Sequence, residues 1–157
     1  MRKLLALFTC LGIVGYANFC FAAAPHQKIY LKSGEAIEGW VSDTTPDGLV
    51  KIQERRTRKI SSYPKTDIVR IEDYNSQGKL FKEFNYEDGK KEGTYKIHHS
   101  DGTLYEEGFY ENDQPEGIRR QYYENGRVRW EAAYLNGHLR YHKEYDETGS
   151  LISERKY

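Results

Sequence analysis

Glycine returns at Gly78, Gly102, Gly126 and Gly149, in steps of 24, 24 and 23 residues, and its neighbours return with it. Aligned on those glycines the chain reads GKLFKEFNY, GTLYEEGFY, GRVRWEAAY and GSLISERKY. Each copy has Leu or Val two residues after the glycine, Glu five after it and Tyr eight after it. A second half recurs as YEDGKKEGTYKIHH, YENDQPEGIRRQYY and, decayed, YLNGHLRYHKEY. A fixed period of this kind means one supersecondary unit stacked on copies of itself.

The unit is β. Asp-Gly and Asn-Gly pairs at 88–89, 101–102, 125–126 and 136–137 are strong hairpin signals. A 24-residue period therefore holds two strands and two turns, and successive hairpins add edge to edge into one antiparallel sheet. Alternation places Leu104, Glu106, Gly108 and Tyr110 on one face, and Tyr105, Glu107 and Phe109 on the other. From Asp73 to Tyr157 the chain holds eleven of its fourteen tyrosines and few aliphatics. Flat amphipathic rings can cover a thin sheet that has no deep core.

At DGTLYEEGFYENDQPEG and RRQYYENGRVRWEAAYLNG the chain resembles the MORN-repeat variant family, also called MORN type 2. Its pattern is a tyrosine, a turn Asn-Gly or Asp-Gly, a Glu-Gly pair and a second aromatic. Glu92-Gly93 and Glu116-Gly117 match it, whereas the third unit has Arg140-Tyr141. The resemblance covers residues 73–157 and implies a binding scaffold rather than a reaction. Bacterial proteins of this kind include antitoxins of the YwqK type.

Residues 23–72 have another texture. Short β-branched runs at 28–32, 35–42, 49–53, 59–63 and 68–71 are separated by turn residues such as Thr45-Pro46-Asp47-Gly48. Five strands, with Ile29, Ile37, Val50, Ile52 and Ile71 among the residues to fill an interior, suit a small closed barrel. IYLKSGEAIEGWV and the PKTDIVRIE ending resemble SH3-like or Sm-like barrels. The expected class is all-β, a small five-stranded barrel followed by an elongated antiparallel sheet of stacked β-hairpin repeats.

Arg2 and Lys3, the apolar run from Leu4 to Val14 and the small residues 22–24 follow the plan of a secretory signal peptide. Cys20-Phe21-Ala22 puts small residues where a peptidase needs them, so residues 1–22 are expected to be removed and the product secreted or periplasmic. Both cysteines, Cys10 and Cys20, leave with that segment, and so does any disulfide, thiolate nucleophile or cysteine metal site. Loss of Arg2 and Lys3 from a chain with 24 cations and 24 anions leaves it slightly acidic. Nucleic acid is therefore not an expected partner, and after processing the chain does not span a membrane.

No phosphate loop, nucleophile elbow or HExxH occurs. Glu83, Glu107, Glu131 and Glu154 recur in every copy, whereas a catalytic carboxylate is needed once; pairing with Lys, Arg or turn amides is expected. His138 and His142 fall too far apart on a strand to share a metal. No catalytic residue, metal or cofactor is expected. Partners are a protein or a cell-envelope polymer, met by Tyr86, Tyr110, Trp130 and Tyr134 at equivalent or same-face positions. Arg55, Arg56, Arg58 and Lys59 form the only dense basic cluster, read either as a solvated hairpin loop between two strands or, through Arg55, Arg56 and Arg58, as a candidate contact for an anionic membrane or wall surface. Trp130 has Ala132 beside it on one face, and is expected to plug the gap that residue leaves. The competing reading is an envelope hydrolase using carboxylates of the repeat sheet.

Overall fold

The computed structural model describes residues 25–157. The expected signal segment and its cut after Ala22 lie outside them. Twelve strands follow one another: β1 (His26–Leu31), β2 (Ala36–Thr44), β3 (Leu49–Glu54), β4 (Ile60–Pro64), β5 (Ile68–Tyr74) and β6 (Leu80–Glu87). Then come β7 (Lys90–His98), β8 (Leu104–Glu111), β9 (Gln114–Tyr122), β10 (Val128–Leu135), β11 (His138–Tyr145) and β12 (Leu151–Lys156). The only helical element among the described residues is a 3-10 turn at Lys65–Asp67. All strands join one sheet in the order β12-β11-β10-β9-β8-β7-β6-β5-β1-β2-β3-β4, and each pairing is antiparallel.

The first five strands curl. Ile29 and Ile52 are 0 % exposed, and the described residues supply no second layer, so the sheet itself must cover them. Leu31, Ile37, Val50 and Ile68 complete the buried cluster, with Val41, Tyr63, Ile71 and Tyr86 packed against it. Gly39 is the bend. Residues 36–39 of β2 pair with β1, residues 39–44 pair with β3, and Gly39 belongs to both registers. A Cβ on Gly39 would stand 2.2 Å from the Gln53 carbonyl oxygen, so only glycine permits this approach. The hydrogen-bond ladder does not end with the curl. β5 pairs onward with β6, and β4 has β3 as its one neighbour among the described residues.

The hairpins that follow use two turns, one at each end of the sheet. Asp88–Gly89, Asn112–Asp113 and Asn136–Gly137 all have positive φ at both positions, the geometry of two-residue turns that match strand twist. At the other end, Gly78, Gly102, Gly126 and Gly149 each donate an amide to the carbonyl three residues earlier.

Bulges recur with the period as well. Phe81, Tyr105, Arg129 and Ile152, each three residues past its loop glycine, are skipped in the pairing with the preceding strand. The Glu-Gly pairs make a wider bulge. One residue separates Phe84 from Tyr86, where three separate Lys91 from Tyr95. The same offset occurs between β8 and β9. Gly93 (φ 87) and Gly117 (φ 66) take the left-handed conformation that such a bulge needs.

The glutamate of each pair then reaches the next hairpin. Glu92 Oε2 accepts the Asn112 amide at 2.8 Å and Glu116 Oε2 accepts the Asn136 amide at 2.6 Å. Each Glu-Gly pair thus bends its own strand and caps the next turn. At Arg140, which replaces the third glutamate, only a one-residue shift remains between β10 and β11.

Candidate binding surface

Direct cross-strand partners share a face, so the registers sort the side chains into rows. On the inner face one row runs Ile37, Ile29, Ile71, Phe84, Tyr95, Gly108 across six strands. The aliphatic interior of the curl therefore continues into the repeats as aromatics. Phe84 and Tyr95 stack with centroids 5.2 Å apart, and Tyr110 leans on both at 6.3 and 5.2 Å. Gly108 makes room, since a Cβ there would lie 2.7 Å from Tyr95 Cε1.

Beneath these rings lies a polar floor. Glu106 is 5 % exposed and Gln121 8 %. Glu106 Oε1 accepts the Tyr95 hydroxyl at 2.9 Å and two guanidinium bonds from Arg119, at 3.1 and 2.7 Å. The buried carboxylate is thus paired and bonded together. Burial first, and then the Glu106 carboxylate, push the Tyr95 hydroxyl far above its ordinary range, so it stays a donor. Gln121 donates to the Tyr105 hydroxyl at 2.8 Å. The bulge at Tyr105 accounts for this: strict alternation would send that ring to the opposite face.

Trp130 belongs to the same face. Its ring lies 5.3 Å from the Arg119 guanidinium and 5.7 Å from the His142 ring. Arg119 and His142 are the two cross-strand partners of Ala132, which is 1 % exposed. Trp130 and its two neighbours therefore roof the small residue. Tyr110 and Tyr134 are half-buried as well. Tyr86 turns toward the curl, packs on its core, and is pushed up to about 12, by burial first. All four aromatic candidates thus share one face, Tyr86 as part of the core boundary and the other three farther along. Lys91 Nζ lies between two rings, 4.7 Å from Phe84 and 5.0 Å from Tyr110.

The outer face carries charge. Glu83, Lys96, Glu107, Arg120, Glu131, Lys143 and Glu154 are successive direct partners from β6 to β12, alternating in sign without exception. Arg120 meets Glu131 at 2.7 Å and Lys143 meets Glu154 at 3.8 Å. Tyrosine hydroxyls add bonds, Tyr122 to Glu107 at 2.7 Å and Tyr141 to Glu131 at 2.8 Å. Partial burial would raise the Glu131 carboxyl, but the bonds from Tyr141 and Arg120 outweigh it and hold the group below its ordinary value.

The alternation fails once, where Glu72 of β5 faces Glu83 of β6. There Tyr30 and Tyr74 both donate to Glu72, at 2.8 and 2.7 Å, and Arg70 stands 3.2 Å away.

The arginine cluster has separate neighbours. Arg55 meets the His26 ring at 3.2 Å and Arg58 lies 5.7 Å from the Trp40 ring. Arg56 lines a recess with Glu35, Glu38 and Glu54. Among the described residues no group of three or more His, Cys, Asp or Glu side chains could hold a metal ion.

Residues 91–112 and 115–136 each match the family model of the MORN repeat variant. These segments hold both Glu-Gly bulges, and each ends on the asparagine, Asn112 or Asn136, whose amide the bulge glutamate accepts. The match supports a protein-binding or scaffold role. No curated protein matches the chain. A solved structure described as the crystal structure of TarM aligns with 69 % of this chain and 21 % of its own, at 10 % identity and a TM-score of 0.36. This chain thus spans about a fifth of that protein's length.

Proposed function

We propose that the chain is an exported, non-enzymatic binding protein that takes a protein or an envelope polymer on the aromatic face of its repeat sheet. The observation that carries this reading is the inner face of β7–β11. There Tyr110, Trp130 and Tyr134 lie half-buried on one side of the sheet, with Lys91 and Arg119 against the rings. Rings held by packing lose little freedom when a partner covers them, and aromatic and Arg anchors dominate binding energy.

Export rests on the basic start, the apolar run and Cys20-Phe21-Ala22. The likeness to YwqK-type antitoxins makes an immunity-type partner one form of this reading, with its target outside the cytoplasm. The small-barrel resemblance of residues 23–72 is supported by the neighbour order β5-β1-β2-β3-β4 and by the 3-10 turn between β4 and β5. That region would serve as the platform from which the repeats extend. A hydrolase using Glu131 as its general acid would need that carboxyl raised, whereas Tyr141 and Arg120 hold it below its ordinary value.

The test is capture from a native envelope extract by the mature chain, compared across folded variants. Trp130→Ala and Tyr134→Ala should each lose the captured partner, while Lys96→Ala on the outer face keeps it. Trp130→Ala should also melt lower, because the ring roofs Ala132. Unchanged capture by both inner-face variants would reject the aromatic face as the contact.

A further inference from the structure

Each loop glycine of the repeats is framed by two side chains, three residues before it and three after it. Around Gly102 and Gly126 the two touch. His99 meets Tyr105 edge-on, with ring centroids 4.9 Å apart, and at the same positions of the next copy Arg129 stands 5.8 Å from the Tyr123 ring. Around Gly78 and Gly149 the chain carries Asn75 with Phe81 and Asp146 with Ile152 instead. The two middle pairs line one recess of about 600 Å³, a size typical of small-molecule sites. Glu124 and Glu147, both exposed, line it as well.

Its walls are fixed in advance. The Tyr123 hydroxyl donates to the Tyr145 carbonyl at 2.8 Å. Arg127 and Asn125 hold the following loop by donating to the Glu147 carbonyl, at 2.9 and 3.2 Å. Such a site loses little freedom when a ligand enters. His99 Nε2 is buried with no hydrogen-bond partner among the described residues, and a buried polar atom of that kind needs one from outside the chain.

The chemistry of the lining selects the occupant. Arg129 only donates, and the two carboxylates only accept. An anion would face Glu124 and Glu147, and a cation would face Arg129. A hydroxyl donates and accepts, so it suits every one of these groups. The tyrosine rings add flat apolar faces for the C–H side of a sugar. We infer that this recess binds a neutral pyranose unit of a glycan, stacked on tyrosine and held by Arg129 and a carboxylate. Its walls come from the loops after β7, β9 and β11 and from the bulges of β8 and β10. It offers no strand edge, which sets it apart from a peptide site. Tyr110, Trp130 and Tyr134 take no part in it, so neither site depends on the other.

The probes are cellobiose, maltose and di-N-acetylchitobiose, titrated separately into the isotope-labelled chain and followed by nuclear magnetic resonance. At least one should shift the amides of residues 99–103 and 123–127 in a saturable way. Arg129→Ala, at an exposed side chain, should weaken that sugar about ten-fold. Tyr123→Ala should lose it, whereas Tyr123→Phe keeps the ring and should still bind. Phe81→Ala, at the matching position of a copy outside the recess, should bind like the unaltered chain. No saturable shift with any of the sugars would overturn the inference, as would equal binding by Arg129→Ala and the unaltered chain. Acetate or N-acetylglutamine amide shifting these loops where the sugars do not would also overturn it, by giving the recess to an anion or a peptide.

Discussion

The first five strands and the seven after them bury one face of the same sheet by different means. The curl of β1–β5 wraps that face round aliphatic side chains, and Ile29 and Ile52 reach 0 % exposure. The repeat strands have nothing to wrap round. They cover a polar floor with their own rings and tie the other face with alternating charge. The curl concentrates stability in a small cluster of buried aliphatic residues. Repetition spreads it over neighbour contacts, each of which involves only adjacent strands. The like-charged Glu72–Glu83 pairing marks the boundary, and Arg70 with two tyrosines is what the chain uses there.

The largest expected difference is in single truncations. Ile52→Ala empties a site inside the curl and should cost about 2–5 kcal/mol by urea titration. Tyr110→Ala removes a half-buried ring from the repeats and should cost about 1–2 kcal/mol. Equal costs would break the contrast between the two regions.

Glycines sharpen it next, because the two regions need them for different reasons. Gly39→Ala forces a Cβ against the Gln53 backbone. At Gly117 a Cβ would meet nothing within 4 Å, so Gly117→Val costs only its φ of 66, about 1–2 kcal/mol. Glu111→Gln, at an exposed strand end, should stay within about 0.5 kcal/mol. A neutral Gly117→Val would contradict the role given to the bulge.

The charge row should be individually weak. A double-mutant cycle on Arg120 and Glu131 should give a coupling of about 0.2–1 kcal/mol. No coupling would mean the alternation is a pattern without a force behind it.

The smallest effects are those of pH. Tyr86 and Tyr122 rise to about 12 from 10.0, by burial first, and for Tyr122 then by the Glu107 carboxylate. A raised tyrosine ionises later in the folded chain than in the unfolded one. Its stabilisation is full below pH 10 and declines between about 10 and 12. Glu131 is lowered from 4.5, so its share is present above that value and declines as the pH falls through the folded value. Thermal melts across pH should show both shoulders, and Tyr122→Phe should reduce the alkaline one.

Much of this was legible in the sequence. The glycine period placed the loops, and the five short runs of residues 28–71 correspond to β1–β5 within a few residues at each end. Recurrence of Glu83, Glu107, Glu131 and Glu154 pointed to pairing, and the cations opposite them are there. The Asn112–Asp113 turn was less visible because it has no glycine; Asn and Asp also tolerate positive φ. Bulges were invisible, since Phe81, Tyr105, Arg129 and Ile152 share a position but no chemistry. The floor was hidden as well. Glu106 and Arg119 lie 13 residues apart on different strands, and only the shifted register brings them together. Glu92 and Glu116 matched a motif whose capping role appears only when the next hairpin is in place.

Native-state hydrogen exchange tests the contrast between curl and repetition most directly, strand by strand in one sample. The slowest amides should fall in β1, β3 and β5, with protection declining through the repeats to β12. Equal protection along all twelve strands, or the slowest amides in β9–β11, would contradict it.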